Sequence, residues 1–404
     1  MPAVEKEALW PSIVRRFQQG NVGPLPVLIG LAMIALVFQI ANDKFLTPVN
    51  LTNLTVQIAS MGTISVGIVL VLLLGEVDLS VGAVSGLASA VMGVLSVKQG
   101  WPAGLAILAG IATGTLIGTL QGFWIAKFRV PSFVVSLAGL LAWQGALLYV
   151  LGTTGTVNLT DKTIIGIANS RVSIEAGFVI GIIAIVAYAA ILIAEQRGRQ
   201  AMNLPVQSTV MLAWRIGLIA LVTVVTIGFM SINRNPNVEA AAVRGIPSAV
   251  VIFIAVLIIF DFITRRTRFG RYIYAVGGNV EAARRAGINV NGIRIAVFML
   301  CSTLAACGGV LAASRLYASN QASGGGDTLL NAIAAAVIGG TSLFGGRGRV
   351  WSALLGALVI GAIANGMDLL AMSSAIKFMV TGTVLLIAVT LDASTRSRRE
   401  NTGR

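Results

Sequence analysis

Few residues in this chain can do bond chemistry. Histidine is absent, which removes the commonest general base and metal ligand. Cys301 and Cys307 fall six apart in one apolar run and read as core, not as a disulfide or metal site. No Gly-x-x-x-x-Gly-Lys-Ser/Thr occurs, nor any Gly-Lys, so no P-loop is present to cradle nucleotide phosphates. Energy for any task must then come from another subunit or from an ion gradient. The groups that remain are carboxylates and amides set among apolar residues. Glu76, Asp78 and Ser80 open one apolar run in Gly75-Glu76-Val77-Asp78-Leu79-Ser80, and Asp327 opens another after Ser323-Gly324-Gly325-Gly326. With Asp368 these carboxylates fall at the ends of runs, where such a group caps a helix N-terminus or reaches interfacial water. Capping and a pathway role both stay open, because a half-helix end facing a cavity is both.

The elements that carry these residues belong in lipid. Apolar residues make up 56% of the chain and charged ones 11%, against roughly 25% charged in soluble domains. Successive apolar runs of about 17 to 25 residues indicate a helical bundle and not a barrel. The expected architecture is an all-α, polytopic transmembrane bundle of about 12 spans. The net charge of +14 raises nucleic acid as a partner, but the basic residues lie between apolar spans, so a nucleic-acid face is excluded. Their distribution is topological: Arg265, Arg266, Arg268, Arg271, Arg284 and Arg285 crowd one loop (264–292), with Arg294 just beyond it, and the positive-inside rule puts that loop and both termini in the cytoplasm. The organisation is then an N-terminal cytoplasmic segment (1–24), a membrane domain (25–392) and a basic cytoplasmic tail (393–404). The first segment mixes charges and has no apolar core before Leu25, so no cleavable signal peptide is expected.

Two runs, 79–97 and 328–344, are short or glycine-interrupted, the usual sequence pointer to a transport pathway. G-x-x-x-L-x-x-G occurs at Gly75, Leu79, Gly82 and again at Gly339, Leu343, Gly346, which suggests an internal duplication. Gly110, Gly114, Gly118 and Gly122 space small residues four apart on one helix face and permit close packing.

The cytoplasmic loop holds a second kind of signal. In Tyr274 to Val290, Asn279 is an N-cap, Glu281 sits in a first turn, Arg284 and Arg285 in a last turn, and Gly287 where a helix stops. About two helical turns are marginal alone in water, so this helix must lean on something. Ala282, Ala283 and Ala286 leave a small-residue surface that a partner's groove can approach, and Glu281 can pair with Arg285 at i, i+4.

Glu281-Ala282-Ala283 followed by Gly287 resembles the E-A-A-x-x-x-G pattern of importer permeases, without the usual Ile-x-Leu-Pro beyond it. Three further blocks, Gly75-Glu76-Val77-Asp78-Leu79-Ser80-Val81-Gly82, Tyr274 to Asn279, and Ala332 to Gly346, are similar to permeases of the ribose/xylose branch of ABC sugar importers, in that family's order. The segment 172–233 looks like a helical hairpin added to a ten-span core, as in the longer xylose-type permeases. The resemblance implies a subunit that moves a monosaccharide, a pentose such as xylose, by alternating access and does no bond chemistry. It implies ATP and magnesium on a separate cytoplasmic ATPase, an extracytoplasmic sugar-binding protein and a second permease copy. On that reading Asn279, Glu281, Ala282, Ala283, Arg284 and Gly287 couple to the ATPase. Sugars are neutral polyols, so their path needs hydroxyl, amide and aromatic groups: Glu76, Asp78, Ser80, Gln121, Trp124, Gln144, Asp327, Asn331 and Asn365 are the candidates. The alternative is an ion-coupled secondary transporter with twelve spans, which calls for a buried, paired carboxylate or a histidine in mid-span as the ion relay.

Overall fold

The computed structural model describes residues 25–202, 204, 206, 208–235 and 242–402; the 1–24 segment lies outside them. Helices dominate the chain, with α1 (Leu25–Ala41), α2 (Pro48–Leu73), α3 (Val81–Val97), α4 (Ala103–Phe128), α5 (Ser132–Leu151) and α6 (Lys162–Asn169) in its first part. Then follow α7 (Ile174–Ala201), α8 (Thr209–Met230), α9 (Ser248–Arg266), α10 (Arg268–Gly278), α11 (Val280–Arg285), α12 (Val290–Leu316), α13 (Gly326–Ile338), α14 (Trp351–Leu369) and α15 (Ser374–Thr402). Among the described residues eight helices are long and apolar enough to cross a membrane, and shorter apolar helices lie at Leu25–Ala41, Val81–Val97, Asp327–Ile338 and Ser374–Ile387. This is an all-α polytopic membrane bundle.

Helix α12 is its axis, packed on α4, α2 and α3. Glycine sets the closeness of these contacts. A Cβ on Gly110 would stand 2.7 Å from the Ala88 carbonyl oxygen and one on Gly114 2.5 Å from that of Ser302, while Gly118 and Gly122 meet Phe298 and Ile295. The four-residue glycine spacing is therefore the seam of α4 against α3 and α12.

The chain leaves helical geometry twice inside the bundle. Helix α2 ends in a Schellman motif, with Gly75 at φ 75° and the amides of Gly75 and Glu76 donating to the Leu72 and Val71 carbonyls. Residues 76–80 then run up the bundle: Glu76 pairs with Arg294 near the start of α12, whereas the Ser85 carbonyl already abuts Gly309, about 22 Å farther along α12 at 1.5 Å per residue. Helix α3 therefore starts well inside the bundle. The second departure follows α12, where β2 (Ala318–Asn320) pairs antiparallel with β1 (Thr156–Asn158), Val157 opposite Ser319. Residues 321–325 carry on to α13, whose entry loop meets the start of α3: a Cβ on Gly82 would stand 2.6 Å from the Gly324 carbonyl oxygen.

Two expectations change. The 328–344 run is a short helix ending at Ile338, followed by a glycine-rich loop. The two G-x-x-x-L-x-x-G motifs have different structures, since Gly82 lies in α3 while Gly346 is in that loop, its amide donating to the Leu73 carbonyl at 2.9 Å. The residues before Asn279 form a helix of their own, α10, and Asn279 separates it from α11 with φ −160°. In the 172–233 segment, α7 and α8 pack mainly on each other. Its ties to the rest include the Glu195–Arg266 ion pair at 2.9 Å and a Thr52 hydroxyl donating to the Met230 sulfur at 3.6 Å.

Close backbone packing makes the glycines unequal. Gly356→Leu, whose Cβ would collide with the Ala335 carbonyl, is expected to cost at least about 1–3 kcal/mol and to lose the monodisperse peak in size-exclusion chromatography, whereas Gly104→Leu, which faces open space, keeps it.

Candidate functional site

A cavity of about 350 Å³ lies inside the bundle between α2, α3, α12, α13 and α14, and Gln57, Ser85, Ser89, Arg315, Asp327 and Asn331 supply much of its polar lining. It lies beside the second and third turns of α3 and the first turns of α13. Ser89 shares a 2.8 Å hydrogen bond with Ser319, which anchors the β2 segment to α3. Hydroxyl and amide groups, with Arg315 and Asp327 as the charged members, suit a polyhydroxylated solute.

Of the sequence-predicted path residues, Asp327 and Asn331 line this cavity. The others go elsewhere. Asp78 was expected at a span end, capping or within reach of interfacial water; it is 1% exposed. Its Oδ1 accepts from the Ser80 amide at 2.9 Å and the Ser80 hydroxyl at 2.7 Å, and Oδ2 has no partner among the described residues. The Gln121 amide joins the same cluster at 3.0–3.1 Å from the Ser80 hydroxyl. These three residues hold the non-helical 76–80 segment against α4. Glu76 forms a 2.9 Å ion pair with Arg294. Trp124 is half exposed on α4 and tilts against Phe128. Gln144 donates to the Gln321 carbonyl at 3.4 Å. Asn365 exchanges hydrogen bonds of 2.7 and 3.1 Å with Asn50, tying α14 to α2. Sequence reasoning missed Gln57, Ser85, Ser89 and Arg315; the i, i+4 pairs Gly82/Gly86 and Ser85/Ser89 on one short helix were the available signal.

The 264–292 loop builds a second site. Asn279 Oδ1 accepts from the Ala282 amide at 2.9 Å, so α11 is capped as expected. At its other end Gly287 has φ 79°, and the amides of Gly287 and Ile288 donate to the Arg284 and Ala283 carbonyls, again a Schellman motif. Glu281 pairs with Arg284 at 2.9 Å and Arg285 at 3.5 Å. Ala282 and Ala286 are exposed, but Ala283 is 3% exposed and is the face on which α11 leans against its own bundle. The outward small-residue surface is therefore Ala282 and Ala286. Below it, Tyr274 of α10 donates to the Gly348 carbonyl at 3.0 Å; burial, with Asp261 nearby, raises this phenol above its ordinary pKa and keeps it a donor. Gly277 meets the Leu73 carbonyl and Gly346. The loop is thus seated on the end of α2, next to the point where the chain leaves helical geometry.

Residues 50–389 match the family described as branched-chain amino acid transport system / permease component. The chain belongs to that permease family. The permease is 36% identical to the xylose transport system permease protein XylH of Escherichia coli over 94% of this chain and 93% of that one. It is 35% identical to XylH of Haemophilus influenzae over 92% and 96%, and 31% identical to the ribose import permease protein RbsC of Bacillus subtilis over 92% and 94%. No solved structure matches. The permease is a multi-pass protein of the bacterial cell membrane and a transport subunit, not an enzyme.

The two asparagines predict opposite outcomes. Asn365→Ala breaks a buried inter-helix pair and is expected to cost about 0.6–1.7 kcal/mol, read as a lower melting temperature in detergent. Asn331→Ala is expected to leave the melting temperature unchanged and to lower transport.

Proposed function

We propose that this chain is the membrane subunit of an ATP-driven monosaccharide importer that takes a pentose such as xylose, with twelve spans and both termini cytoplasmic. The observation that carries the sugar assignment is the end-to-end similarity to xylose permeases. The eight long helices and four shorter apolar ones support the twelve-span count, made of a ten-span core and the 172–233 hairpin. In this reading two copies of the chain assemble with two ATPase subunits inside and a sugar-binding protein outside.

The permease's part is mechanical. An ATPase groove takes the exposed Ala282/Ala286 face of α11, with Asn279, Glu281, Arg284 and Gly287 fixing the helix that is gripped and Ala283 anchoring it to the bundle. Movement passes through α10 to the Leu73 and Gly346 backbone, and so to the segment 76–80 that leads into α3. The sugar moves through the cavity containing Asp327 and Asn331, held by hydroxyl and amide groups and released when the packing around it changes. ATP on the partner and the loaded binding protein bias the two states by binding them with different affinity.

A gradient-driven mechanism gains one observation, the buried Asp78 with an unpaired oxygen. Liposomes carrying the chain with its candidate ATPase and binding protein decide between the readings. Xylose uptake is expected to require ATP, to persist in Asp78→Asn, and to fall at least about tenfold in Ala282→Trp while insertion and basal ATP hydrolysis remain. Uptake by this chain alone on a proton or sodium gradient, abolished by Asp78→Asn, would overturn the ATP-driven assignment.

A further inference from the structure

A second cavity, of about 450 Å³, opens between the α4–α5 corner and the α11–α12 turn, and its lining brings Arg129, Arg284 and Arg294 together with the single carboxylate Glu76. That carboxylate is already spent on Arg294 at 2.9 Å, and Arg284 is held by Glu281 at 2.9 Å. Arg129 has no carboxylate within 4 Å among the described residues, and it is presented by a left-handed backbone turn at φ 56° that ends α4. Arg294 keeps a buried Nε with no partner among the described residues.

Two helices also begin at this cavity. Helix α5 starts at Ser132 behind Pro131, which brings no side-chain cap, and α12 starts at Val290 behind Asn289, whose side chain serves the Gly292 amide. Their first-turn amides and positive dipole ends add to the guanidinium charge. Three guanidinium groups, one neutralised carboxylate and two helix N-termini around one space are an excess of donors and of positive charge that a tetrahedral oxyanion satisfies. We infer that this cavity binds a single phosphate group, presented either by an anionic lipid headgroup or by a free phosphate. Because Arg284 belongs to α11, the bound anion would tie the docking helix to the α4–α5 corner. Binding itself does not rest on the identity of the transported sugar.

The test uses the full chain in nanodiscs, with thermal unfolding and calorimetry as readouts. One arm titrates inorganic phosphate, against sodium chloride at equal ionic strength, into discs of phosphatidylcholine; the other replaces part of that lipid with phosphatidylglycerol. Two variants probe the cavity. Arg129→Asn removes the unpaired cation with a residue that tolerates positive φ. Asn291→Asp puts a carboxylate into the first turn of α12, where it complements the helix dipole and keeps the protein folded. Stabilisation by phosphate alone identifies a free anion, and stabilisation by phosphatidylglycerol alone identifies a headgroup. Either supports the site if both variants weaken the effect by about tenfold or more, the differential that a charge-assisted bond supplies. No stabilisation in either arm, an equal effect from sodium chloride, or undiminished binding in Asn291→Asp would overturn it.

Discussion

Backbone that leaves helical geometry inside a bilayer must find its hydrogen bonds within the protein, because hydrocarbon offers none. The permease meets this constraint at both of its breaks. Along 76–80 the Val77 amide donates to the Ser132 hydroxyl at 3.4 Å, and the Ser80 amide uses Asp78. Along 318–325 the chain pairs with β1, the Gln321 amide donates to the Gly155 carbonyl, and Asn320 and Ser323 serve each other's backbone. Only because these partners exist can α3 and α13 start inside the bundle, with Ser85 and Ser89 of one and Asp327 and Asn331 of the other lining a cavity.

The same constraint explains where the glycines are. Each non-helical segment passes close to a neighbouring backbone, at Gly82 against Gly324 and at Gly75 against Gly345. A side chain at these points would separate the backbones and open the breaks to lipid. Close approach also makes the connections stiff. From α11 through α10 to Leu73 the contacts are backbone to backbone, so displacement of the 264–292 loop has a short route to the 76–80 segment.

Much of this was legible in the sequence. The lengths of the apolar runs fixed the class, and the caps of α11 were readable because Asn279 and Gly287 act within four residues of the helix they end. The four-residue glycine spacing correctly marked a packing face. What could not be read was which polar residues share a space. Gln121, Asn365 and Asp327 look alike in an apolar run, yet one supports a broken segment, one pairs with Asn50, and one faces the cavity. That distinction depends on neighbours distant in sequence, such as Ser80 and Asn50. Ala283 was misread as an outward residue for a related reason: a six-residue helix has no stripe of its own, and only its seat on the bundle decides which alanine is covered.

The central claim is that the cavity between α3 and α13 changes its access when nucleotide acts on the 264–292 loop. The direct measurement is thiol labelling of Asn331→Cys, with Cys301 and Cys307 replaced, in proteoliposomes containing the ATPase and treated with a membrane-impermeant reagent from the binding-protein side. The account predicts that trapping the ATPase with ATP and vanadate changes the labelling rate by about tenfold or more, equivalent to a shift of about 1.4 kcal/mol between the two access states. A labelling rate that is the same with and without trapped nucleotide would contradict it.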